Sequence, residues 1–129
     1  MMAIGIGAKS TATPTDIIAA IDAARQASRL HADIIATLAN APFETALQAA
    51  ATEYKTRLIT FTPATLASRN ADCQTASQLS RERFGVTSIA EASALVAAGE
   101  NSRLIVPRLV CGPVTAAAAI SADHAESSL

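Results

Sequence analysis

Short apolar runs alternate with helix-period stretches along most of the chain, and this alternation constrains the fold more than any other feature. Ala3 to Gly7 is brief, apolar and ended by glycine, the pattern of a buried strand. Thr13-Pro14-Thr15-Asp16 then opens a helix: Thr13 suits the N-cap, Pro14 the first helical position, and Asp16 completes a capping-box pattern. Ile17, Ile18, Ile21, Ala24 and Leu30 follow at helical spacing, with Asp22, Arg25 and Arg29 on the solvent side. Asp33 to Leu38 reads as a second strand, Phe43 to Tyr54 as a second helix, and Arg57 to Phe61 as a third strand. Asn70 to Thr75 reads as an irregular, mobile loop. Ser77 to Phe84 is helical and closed by Gly85. Ser88-Ile89-Ala90-Glu91 reads as a capping box, opening a helix that Gly99 closes. Arg103 to Val106 and Val114 to Ile120 are the last strands, separated by a loop from Pro107 to Pro113.

Strands alternating with helices predict a three-layer α/β/α sandwich with a central sheet of about five strands. The sheet is mostly parallel, or mixed if the last two strands form a hairpin. At 129 residues the chain is one domain, expected over residues 1–122, with a polar, flexible tail over 123–129. Half of the residues are apolar but only 3% are aromatic, so the core must be built from small, closely packed side chains.

The net charge is −1 and no Lys/Arg block is interleaved with aromatics, which argues against nucleic acid as a partner. No apolar run approaches the ~20 residues of a membrane span, and no cationic segment precedes the apolar N-terminus. A cytoplasmic protein is expected. Cys73 and Cys111 have no metal-binding or redox spacing, which suits a reducing compartment and predicts no metal and no cofactor. His31 falls in the turn after the first helix and His124 in the tail, and neither belongs to a nucleophile motif.

Two stretches carry candidate chemistry. The first is Gly5-Ile6-Gly7-Ala8-Lys9-Ser10-Thr11. A P-loop needs glycine directly before the lysine and another five positions earlier, where this chain has Ala8 and Ala3. The dinucleotide fingerprint fails as well, because Ser10 replaces its third glycine. What remains is an anion site: Gly5 and Gly7 permit close backbone approach, and Lys9, Ser10 and Thr11 offer a cation and two hydroxyls. A tight turn with a solvated lysine is the competing reading. In the second stretch Arg108 follows Pro107 at the end of a central strand, where a guanidinium can grip a carboxylate with two parallel hydrogen bonds. Gly112 and Thr115 lie beside it. Thr37, late in the second strand, is placed to reach the same sheet edge. Glu91 is a further candidate, although a capping box alone would explain it.

Together these motifs resemble the CobE/CbiG C-terminal domain family of cobalamin biosynthesis. The family opening is Gly-Ile-Gly-Cys-Arg and a small residue; here it is Gly5-Ile6-Gly7-Ala8-Lys9-Ser10. A Leu-Ala-Thr-like strand end appears as Ile35-Ala36-Thr37. The closing pattern appears as Ser88-Ile89-Ala90-Glu91-Ala92-Ser93-Ala94-Leu95, then Val106-Pro107-Arg108, Gly112 and Thr115-Ala116-Ala117. Ala8 stands where the family commonly has cysteine, so thiol chemistry is excluded there. Lys9 and Arg108 exchange the usual cations, which keeps the charge and changes its geometry. One branch of the family is the C-terminal half of cobalt-precorrin-5A hydrolase and the other a stand-alone protein of the aerobic route, which this chain is more like.

The resemblance implies a cytoplasmic accessory protein that binds a carboxylate-rich precorrin or corrin intermediate and works beside another pathway enzyme. Gly5, Gly7, Lys9, Ser10, Thr11, Thr37, Glu91, Arg108, Gly112 and Thr115 form its ligand-binding set. Two alternatives stay open. One is a precorrin-5A-type lactone hydrolase releasing acetaldehyde. The other is an unrelated α/β module holding a phosphorylated metabolite on Gly5 to Thr11.

Overall fold

The computed structural model describes residues 1–122; the expected tail over 123–129, with His124, lies outside the described residues. The expected three-layer α/β architecture is borne out. The elements are β1 (Met2–Ala8), α1 (Pro14–Ser28), β2 (Ile34–Leu38), α2 (Glu44–Glu53), β3 (Arg57–Phe61), α3 (Pro63–Ala67), α4 (Gln78–Phe84), α5 (Ile89–Ala98), β4 (Arg103–Cys111) and β5 (Val114–Ile120). The five strands form one sheet in the order β3-β2-β1-β5-β4. β1, β2 and β3 are parallel, while β5 is antiparallel to both β1 and β4, so the sheet is mixed.

Alternation along β1 sorts its side chains between the two helical layers. Met2, Ile4 and Ile6 pack with Ile17, Ile21, Phe43 and Leu47 of the α1–α2 layer. Each such side chain contributes roughly 1.5–3 kcal/mol when fully buried. The α1 start forms as its sequence dictates: Thr13 Oγ1 accepts from the Asp16 N–H at 3.2 Å, and Asp16 Oδ2 accepts from the Thr13 N–H at 3.0 Å.

The other face of the sheet is made of very small residues. Ala3, Gly5 and Gly7 of β1 lie beside Ala119, Ala117 and Thr115 of β5. This flat strip lets α5 settle directly on the sheet, where Ala94, Leu95 and Ala98 pack with Ala3, Ile34 and Ala119. A methyl group built on Gly5 would overlap the Ala90 carbonyl oxygen and come within 2.6 Å of the Ala94 nitrogen. Gly5 therefore serves contact between helix and strand, and the ligand-approach role expected for it is taken by α5 itself.

The C-terminal end of α5 is clamped by Arg69. Its Nη1 donates to the carbonyls of Leu95 and Gly99, both at 3.2 Å, and to Ser102 Oγ at 2.9 Å. Its Nη2 donates to the Ser102 carbonyl at 2.9 Å, and its Nε pairs with Asp72 at 2.7 Å. A cation here also complements the negative end of the helix dipole. The segment expected as a mobile loop, Asn70 to Thr75, is instead a fixed strap. It contains a 3₁₀ turn over Asn70–Asp72 and is tied down at both ends.

The expected loop from Pro107 to Pro113 is mostly strand. β4 continues to Cys111 and turns into β5 through Gly112-Pro113, so the hairpin alternative is correct. Gly112 has φ +57°, which suits the first central position of a type II′ turn. β4 is an edge strand, and Arg108 lies within it rather than at the end of a central strand. Bulges interrupt its pairing with β5 between Leu104 and Val106 and again between Val106 and Leu109. They disrupt an edge that would otherwise offer itself to another strand.

Two outcomes are expected. Gly5→Ala should lower stability in urea unfolding by about 2 kcal/mol or more, because overpacking here meets backbone that cannot step aside. Arg69→Ala should cost about 2–4 kcal/mol through the loss of several charge-assisted hydrogen bonds at a helix end. A melting temperature unchanged by either substitution would contradict the packing of α5 described above.

Candidate functional site

The C-terminal end of β1, the β4–β5 turn and the start of α5 meet at one end of the sheet, and α4 leans over them. Between them lies an open groove of about 350 Å³. Gly7, Ala8 and Lys9 form its floor. Arg108, Val110, Gly112, Pro113 and Thr115 form the hairpin wall, Ser88 and Ile89 the back, and Ser77, Leu79, Ser80, Arg83 and Phe84 the α4 wall. A larger depression of about 550 Å³ sits at the other end of α5, but its cation, Arg69, is already engaged by helix carbonyls, Ser102 and Asp72. The smaller groove keeps its cations available and is the candidate site.

Gly7, Lys9, Arg108, Gly112 and Thr115 therefore come together although they are separated by most of the chain. Gly7 keeps the floor open: a Cβ there would lie 2.8 Å from Thr115 Oγ1. That hydroxyl donates to the Gly7 carbonyl at 3.1 Å. The other candidates fall elsewhere. Ser10 and Thr11 sit in the exposed turn after β1, outside the groove. The backbone there is committed: Lys9 N–H donates to the Pro113 carbonyl at 2.9 Å and Ala12 N–H to the Lys9 carbonyl at 3.1 Å. Thr37 is fully buried and donates to the Ile6 carbonyl at 2.7 Å. It shares its strand face with Ile35, which packs with α1 and α2, so strand alternation turns it away from the groove.

Glu91 departs furthest from expectation. Ser88 does cap α5, its Oγ accepting from the Glu91 N–H at 3.3 Å. The reciprocal half of the capping box is missing, because the Glu91 carboxylate turns elsewhere. Its Oε1 accepts from the Gln74 and Thr75 N–H groups at 2.8 and 2.9 Å, and its Oε2 from the Arg108 N–H at 2.9 Å. The residue is fully buried and does not line the groove.

Several groove residues were not singled out from the sequence: Ser77, Leu79, Arg83, Phe84 and Val110. Among the described residues the large hydrophobic side chains left exposed are Met1, Leu79, Phe84 and Val110, at 40%, 56%, 38% and 69%. All but Met1 border the groove. The sequence carried a partial signal in Leu79 and Phe84, apolar residues of a short helix that carries Arg81 and Arg83 near its end. Among the described residues the groove thus combines three cations, Lys9, Arg83 and Arg108, with an apolar surface, and no carboxylate lines it. Among the described residues no group of three His, Cys, Asp or Glu side chains gathers as a metal site would, and no helix is long and apolar enough to cross a membrane.

These features define a small α/β sandwich with a cationic and apolar cleft at one end of a mixed sheet. The model of the cobalamin synthesis G C-terminus family matches residues 2–119, and the chain belongs to that family. It is a cobalamin biosynthesis protein. The crystal structure of cobalamin biosynthesis protein chiG from Agrobacterium tumefaciens str. C58 is 37% identical, with a TM-score of 0.78, covering 95% of this chain and 100% of that one. The structure of CobE, a protein from the cobalamin (vitamin B12) biosynthetic pathway, shares the fold at 20% identity, with a TM-score of 0.83, over 92% of this chain and 89% of that one. A putative cobalamin biosynthesis protein G homolog from Sulfolobus solfataricus matches at 23% identity and a TM-score of 0.63, over 92% of this chain but 36% of its own. No curated protein matches the sequence.

Cys73 lies in the strap beside Glu91. Burial foremost, and then the negative charge of Glu91, push its thiol up to about 11. A raised value keeps the sulfur protonated through neutral pH, so the thiolate appears only as pH rises toward 11. In a Cys111→Ser background, alkylation of Cys73 by iodoacetamide at pH 8 should run on the order of a hundredfold slower than that of a free cysteine. A rate equal to the free thiol's would contradict this environment.

Proposed function

We propose that this protein holds a carboxylate-rich precorrin or corrin intermediate in the groove and assists a neighbouring enzyme of the pathway without catalysing a step itself. The observation that carries this reading is the meeting of Lys9, Arg83 and Arg108 with exposed Leu79, Phe84 and Val110 in one cleft. A tetrapyrrole intermediate is an apolar ring fringed with carboxylate arms, and a site for it needs both kinds of surface. Arginine binds carboxylates through a planar fork, and lysine serves as a point charge. Phe84 and Leu79 offer the ring an apolar face.

Among the described residues the titratable side chains that line the groove are cations, which suits holding an anion better than moving a proton. This supports binding over lactone hydrolysis. The phosphate alternative is weakened by the turn after β1: Ser10 and Thr11 lie outside the groove, and the Lys9 N–H already has the Pro113 carbonyl as partner. At about 350 Å³ the groove is near the lower end of the roughly 300–1,000 Å³ usual for small-molecule sites. A tetrapyrrole would be gripped along one edge, leaving the rest within reach of a second protein. That geometry suits an assisting role inside the cytoplasm.

Titration with hydrogenobyrinic acid should give a saturable change in visible absorbance. Lys9→Ala, Arg83→Ala and Arg108→Ala should each weaken binding by about 10- to 150-fold, the equivalent of a charge-assisted hydrogen bond worth roughly 1.5–3 kcal/mol, with little change in melting temperature. Phe84→Ala should weaken tetrapyrrole binding but not the binding of a small polycarboxylate such as citrate. Absence of any spectral change with hydrogenobyrinic acid and earlier precorrins would defeat the proposal, and acetaldehyde released from a precorrin-5 lactone by the protein alone would replace it with the hydrolase reading.

A further inference from the structure

Glu91 reaches the groove only through other residues, yet both of the groove's walls depend on what it holds. On one side is β4. Val106 pairs with Ala118 and Leu109 with Ala116, so Pro107 and Arg108 together stand opposite the single residue Ala117. This is a bulge with two residues against one, a device that re-aims a side chain. Its effect on facing follows from strand parity. Val106 and Leu109 both belong with the α1-side cluster although they are three positions apart, which uninterrupted alternation forbids. The extra residue restores the alternation, and Val110 and Arg108 then border the groove. Pro107 has no N–H to give, and the Arg108 N–H donates to Glu91 Oε2 at 2.9 Å.

On the other side is α4. The Gln74 and Thr75 N–H groups donate to Glu91 Oε1 at 2.8 and 2.9 Å. Two residues beyond Thr75, Ser77 caps α4, and its own N–H donates to the Thr87 carbonyl at 2.8 Å, beside the start of α5. The α4 wall thus begins from the strap that Glu91 holds. One carboxylate, fully buried in the first turn of the helix that crosses the sheet, links the hairpin wall to the α4 wall.

We propose that Glu91 is the positioning residue of this site: it fixes the Pro107–Arg108 bulge against the strap before α4, and so sets where Arg108 stands relative to Arg83 and Phe84. Its effect on affinity rests on the ligand-binding reading above, while its effect on structure does not. Glu91→Gln keeps the size of the side chain but leaves only one of its two terminal atoms able to accept. Whichever way the amide turns, its NH₂ faces an N–H on one wall.

The test has two arms. Amide hydrogen exchange of the ligand-free protein, followed residue by residue, should show Gln74, Thr75 and Arg108 protected together in the wild type. In Glu91→Gln the amides of at least one wall, Gln74 and Thr75 or Arg108, should lose protection while those in the middle of β1 and β5 keep theirs. A wild-type Arg108 amide that exchanges as a free edge amide would overturn the proposal, even if the variant fails to fold. A uniform loss of protection across the sheet in the variant would likewise overturn it, as the mark of a merely structural residue. In the second arm, Glu91→Gln should weaken hydrogenobyrinic acid binding about tenfold in the wild-type background and less than about twofold when Arg108 is already alanine, as expected of a residue acting through Arg108. Equal losses in both backgrounds would overturn the proposal. If the wild type binds no tetrapyrrole, the functional reading fails and the exchange arm alone decides the role of Glu91.

Discussion

The seating of α5 on the sheet at Gly5 governs the rest of the molecule. A helix normally stands off a sheet by the depth of two layers of side chains. Here β1 and β5 present Ala3, Gly5, Gly7, Thr115, Ala117 and Ala119 to it, and the helix replies with Ala90 and Ala94. The backbones nearly touch, so dispersion contacts are dense even though few large side chains take part. An alanine-rich, aromatic-poor sequence can fold on these terms because the same small residues that contribute little apolar area each also allow close approach. The contact between the sheet and the α1–α2 layer compensates with larger residues, Ile4 and Ile6 of β1 against Ile17, Ile21, Phe43 and Leu47.

Close seating also decides what happens at the ends of α5. Its C-terminal carbonyls cannot all reach water, and Arg69 takes them up from a segment some 30 residues earlier. At its N-terminal end a buried carboxylate is stabilised by three backbone N–H groups and by the positive end of the helix. Burying such a group without partners would cost several kcal/mol. Glu91 therefore binds its surroundings to α5 as firmly as they bind it, and its surroundings are the two walls of the groove. The elevated thiol of Cys73 reports the same low-dielectric, negatively charged corner.

The groove has an electrostatic asymmetry that follows from this arrangement. The nearby acid is turned inward onto backbone amides, while the cations Lys9, Arg83 and Arg108 face the open cleft. Exposed Leu79, Phe84 and Val110 add an apolar surface that a soluble domain would otherwise cover. A ligand with both an apolar body and anionic arms would answer both features at once, which is the basis of the function proposed above.

The sequence by itself determined the α/β class, the order of elements and most helix starts, because those signals are local. Thr13-Pro14-Thr15-Asp16 caps a helix through contacts within one turn, and the strands reveal themselves by length and apolarity. It also singled out Lys9, Arg108, Gly112 and Thr115 as cations and small residues near expected strand ends, although Arg108 lies within β4. Only the tertiary structure decided which face each residue takes and with whom it pairs. Thr37 lost its place at the site because alternation along β2 turned it toward α1 and α2. Gly5 makes room for a helix because α5 lies over it. Glu91 carries the local pattern of a capping box, but the Arg108 N–H freed by a bulge in β4 and the N–H groups of Gln74 and Thr75 offered its buried carboxylate better partners. The α4 wall, with Arg83 and Phe84, joins Lys9 only across the folded domain. Such pairings depend on strand register and burial, which are properties of distant segments brought together, and no local pattern encodes them.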